Sequence, residues 1–201
     1  MSRAGSSCAK RIDSSDFLAL HLRCHALLGD VALHDVWAVP LPGGGPARTV
    51  NQLRAALVGD TRPVANAAVR ALFALRWWLG RAFRLDAEHH DPSGASYLHR
   101  LTNADRLQSQ VSPGTRLGRF RVLYVFDNEA LTEIRNATVH AFLAVALIRC
   151  ESGYVGYAAI YVKPVSRLTP VYMALIDPFR RLLVYPALGR QVQQAWLRTS
   201  A

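Results

Sequence analysis

The chain has 201 residues, 51% hydrophobic and 19% charged, and its 24 Lys+Arg against 14 Asp+Glu give a formal charge of +10. That balance excludes a disordered tail, a collagen-like fibre and a disulfide scaffold. At roughly 150 residues per domain, the length argues for one compact domain burying about 70% of its unfolded surface, with no room for a second.

Residues 1–30 carry Ser, Arg and His without stable periodicity and read as an N-terminal extension that need not be ordered, ahead of a single domain over 31–198. His34 to Leu41 is a short β-type run halted by Pro42-Gly-Gly-Gly-Pro46. From Asn51 to Phe83 the composition turns to Ala, Leu and Arg, broken at Gly59 and Pro63, which predicts a pair of helices. Leu72, Leu75, Leu79 and Phe83 form the buried stripe of the second, with Arg70, Trp77, Arg81 and Arg84 opposite. Asp86 to Gly94 is a loop holding His89 and His90, and Tyr97 to Leu101 reads as a strand. Phe120, Val122, Tyr124 and Phe126 alternate with Arg119, Arg121, Leu123 and Val125 in one strand of a hairpin turning at Asp127-Asn128-Glu129. Leu131–Arg149 and Tyr154–Val162 continue as strands joined at Glu151-Ser152-Gly153. Apolar residues of both parities in the first predict cover on both faces of the sheet. Thr169-Pro170 marks a helix start, and the apolar spacing runs to Trp196 through Pro178 and Pro186, predicting a long, kinked C-terminal helix.

The basic balance is almost entirely arginine, since Lys10 and Lys163 are the only lysines, and Arg180-Arg181 is the one adjacent pair. Scattered cations do not neutralise neighbouring phosphates together, so nucleic acid is not the favoured partner. Cys8, Cys24 and Cys150 are odd in number and widely spaced, which supports neither a disulfide framework nor a zinc cluster. His21 and His25 share a helical face but lack an acidic partner, so no metal site is assigned. The triple glycine is followed by no G-K-[ST] and completes no dinucleotide fingerprint, so no cofactor is expected. The longest apolar run, Ala141 to Ile148, is far short of the about 20 residues a membrane-spanning helix needs. Without a signal-peptide core, the expected location is the cytoplasm.

A short strand, a helical pair, antiparallel strands and a C-terminal helix describe an α+β domain in which a curved sheet wraps the last helix. That order is similar to the START-like, or Bet v 1-like, helix-grip fold. The runs Phe120 to Leu131, Glu133 to Phe142, Ala159 to Val165, Thr169 to Arg181 and Val184-Tyr-Pro186 resemble the bacterial family of unknown function catalogued as number 2867. The resemblance extends over roughly Val31 to Trp196. It implies a helix-grip-like domain, found in longer relatives beside a short-chain-dehydrogenase-like domain that this chain lacks, and it brings no catalytic residues.

His140 is the leading candidate, an imidazole within an apolar strand that can act as general acid or base near neutral pH. Asn136 and Thr138 share its strand parity, and Tyr124 and Tyr161 can supply hydroxyls to the same cavity. Glu133 and Arg135 take the other parity, where an exposed cross-strand ion pair is the ordinary reading. Asp177 and Arg180 suit a helix-surface pair, and no G-x-S-x-G elbow places a triad. The expected function is binding of a small apolar or amphipathic molecule between the sheet and the C-terminal helix, oriented by Tyr124, Asn136, His140 and Tyr161. The alternatives are a cyclase-, hydratase- or isomerase-type enzyme using His140, and an interaction module that docks on a separate oxidoreductase or on a second copy of itself.

Overall fold

Runs of β-branched and aromatic residues set the architecture. In the computed structural model, residues 9–43, 45, 47–58, 96–135, 139–165, 169, 173–174, 177–178, 181–182 and 185–199 are described. The strands are β1 (Lys10–Arg11), β2 (Ala32–Pro42), β3 (Arg116–Leu117), β4 (Phe120–Val125), β5 (Glu129–Arg135), β6 (Val139–Cys150) and β7 (Gly153–Pro164). They form one 7-stranded sheet in the order β1-β2-β7-β6-β5-β4-β3, with antiparallel neighbours throughout. The described helices are α1 (Ser14–Leu18), α2 (Arg23–Leu27), α3 (Val50–Val58), α4 (Asn103–Gln108) and α5 (Tyr185–Thr199), with a 3-10 turn at Tyr97–Arg100. The chain is therefore α+β, as the order of elements predicts.

The sheet is covered on both faces, the arrangement implied by the two apolar parities of β6. Phe142, Ala144 and Ala146 join Leu123, Tyr124, Leu131, Ala159 and Tyr161 on one face, beneath Phe17, Leu22, Cys24, Leu27 and Leu28. Their strand neighbours Leu143, Val145 and Leu147 point the other way, because successive strand side chains alternate. There they meet Val50 and Leu53 of α3 and Val192 and Trp196 of α5. At the β6–β7 turn, Gly153 has φ 136°, and a Cβ there would lie 2.6 Å from Leu41 O and Gly43 N, so the end of β2 closes on it only because it is glycine.

Several expectations change. Residues 9–30 are part of the fold rather than an appendage: β1 pairs with β2, and Phe17, Cys24 and Leu28 are almost completely buried. Tyr97–Arg100 is a 3-10 turn, not a strand, because the Ser96 hydroxyl accepts from Leu98 N and caps it, and a capping box of Thr102 and Asp105 then starts α4. The single strand expected over Leu131–Arg149 is two, β5 and β6, with the chain reversing so that Arg135 faces His140. The strict alternation of β4 fails at a bulge between Val122 and Tyr124. Val122 and Val125 consequently face α5, while Leu123, Tyr124 and Phe126 face α2. In α5, Pro186 occupies the second position, where an α-helix leaves its backbone N–H unpaired, so it costs no interior bond. The second expected helix with Leu72, Leu75, Leu79 and Phe83, the basic face bearing Trp77, and the pair His89-His90 all lie outside the described residues.

Candidate functional site

Two glutamates four residues apart on β5 organise the face beneath α2. Glu129 accepts hydrogen bonds from Arg23 N (2.7 Å), Cys24 N (3.4 Å) and the Tyr124 hydroxyl (3.1 Å). Its carboxylate thereby caps the start of α2, where backbone N–H groups have no helical acceptor. Arg23 in turn donates to both oxygens of Asp105 at 2.9 and 2.8 Å, tying α2 to α4. Glu133 repeats the arrangement two pleat repeats further along β5: it accepts from Ser96 Oγ and from Tyr97 N, the latter at 3.2 Å, at the head of the 3-10 turn. It also contacts His140 Nε2 at 3.1 Å and Arg121, its register partner, at 3.7 Å.

Burial and these contacts shift the titrations in opposite directions. Burial pushes Glu129 up, and the bonds from α2 and Tyr124 do not fully offset it. At Glu133 burial also acts upward, but the bonds from His140, Ser96 and Tyr97 outweigh it and hold the carboxyl below its ordinary value. The Cys24 thiol is pushed up to about 12 by burial, with the Glu129 charge adding to it. Burial likewise raises Tyr124 and Tyr161, and lowers His25.

The sequence candidates separate on this frame. Tyr124, His140 and Tyr161 share one face of the sheet, but each is engaged by a different partner: Glu129, Glu133 and, at 3.1 Å, His25 Nδ1. That face is opposite the one covered by α5, so these three do not line the space between sheet and C-terminal helix. Asn136 and Thr138 lie outside the described residues. Glu133 is buried at 4% exposure and bonded to His140 rather than exposed on the opposite face, because the reversal between β5 and β6 pairs Glu133 with Phe142 and Arg135 with His140 and so puts all four on one face. Asp177 accepts from His34 and Arg181, and Arg180, its expected partner, is outside the described residues.

The face that α5 does cover carries a second polar group unmarked by any sequence motif. A bulge between Leu33 and Asp35 leaves His34 as the extra residue of β2. His34 Nε2 lies 2.9 and 2.7 Å from the two oxygens of Asp177. Asp35, 1% exposed, contacts the Tyr185 hydroxyl at 3.4 Å. Tyr185 stacks on Trp37 with ring centroids 4.6 Å apart. The Trp37 indole N–H is buried without an acceptor among the described residues. The donor atoms of His34, Asp35 and Asp177 lie within 4.8 Å of one another. Only the adjacency His34-Asp35 in a β-type run hinted at this group.

Fold and site together define a class: an α+β fold whose antiparallel sheet is covered on one face by short helices and on the other by α3 and a C-terminal helix beside a polar, aromatic seam. The chain belongs to the family described as protein of unknown function DUF2867, whose model matches residues 27–187. No curated protein and no solved structure matches it. Among the described residues, no helix is long and apolar enough to cross a membrane.

Proposed function

We propose that this chain is a helix-grip-like binder of a small amphipathic molecule, held between β2 and the C-terminal segment against the Trp37–Tyr185 platform. The observation that carries this reading is the buried Trp37 N–H with no acceptor among the described residues. An indole nitrogen can only donate, and leaving it unpaired costs about 1–3 kcal/mol, which a ligand oxygen recovers. His25 Nε2 is also buried and without a partner among the described residues. The stacked rings supply the apolar wall that affinity requires. Two free thiols among the described cysteines, Cys24 and Cys150, suit the reducing cytoplasm.

Native mass spectrometry of the purified full chain tests the reading. A retained small molecule is expected, and Trp37→Phe, which keeps the stack but removes the donor, weakens its retention about five- to tenfold, the worth of one hydrogen bond. An empty protein whose Trp fluorescence ignores fatty and aromatic acids overturns it.

The enzyme reading gains one observation, the carboxylate partner that Glu133 gives His140. Both side chains are only 4–5% exposed, and Tyr97 and Phe142 flank the imidazole at 5.4 and 4.4 Å between ring centroids. We therefore assign the pair to holding the 3-10 turn on the sheet. Full loss of turnover of an identified ligand in a folded His140→Asn variant would reverse that assignment.

A further inference from the structure

We propose that His34, Asp35 and Asp177 form a binding site for one first-row divalent cation of the zinc or manganese kind. The inference goes beyond ligand binding and does not depend on it. A strand presents neighbours to opposite faces, yet the β2 bulge brings His34 and Asp35 to a common point. Asp177, far away in sequence, completes the set from the C-terminal segment, its oxygens 2.7 and 2.9 Å from His34 Nε2. Zinc binds such donors at about 2.0–2.2 Å, so adjacent ligands of one ion sit about 3 Å apart and opposed ligands about 4 Å. These atoms lie within 4.8 Å of one another, so the widest separation this allows must close by about an ångström onto an ion, within reach of side-chain rotation.

Charge and donor type agree. Two carboxylates and an imidazole supply the charge and the ligand atoms a divalent cation takes, and Arg181, 38% exposed, lies 3.2 Å from Asp177. One nitrogen with carboxylate oxygens, and no thiolate, selects zinc or manganese over magnesium, which avoids imidazole, and over copper(I), which wants sulfur. Three protein ligands leave at least one position for water or a ligand oxygen, beside the Tyr185 hydroxyl.

The full chain, stripped with chelator and dialysed, is titrated with Zn2+ by calorimetry and with Mn2+ in a two-dimensional amide NMR experiment. One equivalent of Zn2+ is expected, weakened about tenfold or more by Asp35→Asn and by His34→Gln. Mn2+ is expected to broaden amides of residues 33–37 and 185–188 first. The broadening map uses the unaltered protein, so it stands even if a variant fails to fold. Absence of stoichiometric binding overturns the proposal, as does broadening centred on His21, His25 and Cys24, or Zn2+ affinity unchanged in a folded Asp35→Asn variant. A protein that binds Zn2+ but no organic molecule separates this site from the binder reading.

Discussion

Single carboxylates do structural work here that their residue type alone does not announce. Glu129 stands among apolar neighbours because it caps α2, and its replacement by Ala strands two backbone donors and the Tyr124 hydroxyl. A loss of about 2–3 kcal/mol is expected, measured by urea unfolding. The acid limb of stability follows from Asp105, held at about 2 chiefly by Arg23, together with Glu133, which is also depressed. Folded values below the unfolded ones mean that this stabilisation is complete above about pH 4.5 and lost as pH falls toward 2. Arg23→Ala should flatten that limb, read from urea midpoints across pH. Cys24 acts in the other direction: raised to about 12, it contributes stability below its unfolded value near 9 that is lost as pH climbs between the two. At pH 8 iodoacetamide should therefore label exposed Cys150 and spare Cys24 until the protein unfolds.

At the level of elements, bulges decide which side chains meet. The one in β4 sends Val122 and Val125 toward α5 and Tyr124 toward α2. Deleting Leu123 would give an unbroken β4–β5 ladder with Val122 and Val125 still facing α5 and Tyr124 and Phe126 still facing α2, at the cost of one buried leucine. The expected outcome is cooperative unfolding with dispersed amide signals kept and stability lowered by about 2–5 kcal/mol, read by urea unfolding. The α5 helix is held by Val192 and Trp196, one turn apart and 2% and 1% exposed, with the Trp196 indole donating to Pro42 O at 3.3 Å. Trp196→Ala should cost about 3–5 kcal/mol, seen as a drop in the thermal midpoint. At Gly189 of the same helix a Cβ would collide with Ala9, so the segment entering β1 crosses the helix where a side chain is missing.

The whole molecule is a sheet that needs both of its covers. Removing residues 1–28 takes away Phe17, Leu22, Cys24, Leu27 and Leu28 and uncovers Leu123, Tyr124, Leu131 and Phe142. Such an apolar face is not stable in water. The truncated chain should bind a hydrophobic dye and unfold without a sharp transition, whereas a domain that began near Val31 would keep one. The outcome also bears on the two sites, since β2 joins both covers: β1 and the helices before it on one side, Tyr185 and Asp177 on the other.

What the amino-acid sequence by itself determined is local. The β-type runs at His34–Leu41 and Phe120–Phe126, the turn at Glu151-Ser152-Gly153, the two-sided cover of β6 and the C-terminal helix all rest on periodicity and turn residues, which act over a few positions. His140, Tyr124 and Tyr161 were legible as polar groups in apolar strands. Which face they take, and which partners they find, depends on where a strand reverses or bulges. A one-residue slip inverts parity and leaves composition unchanged. The tertiary structure therefore decided that Glu133 meets His140, that residues 9–30 fold into the core, and that His34, Asp35 and Asp177 converge. Each is fixed by strand reversal, register or packing rather than by any pattern within one segment.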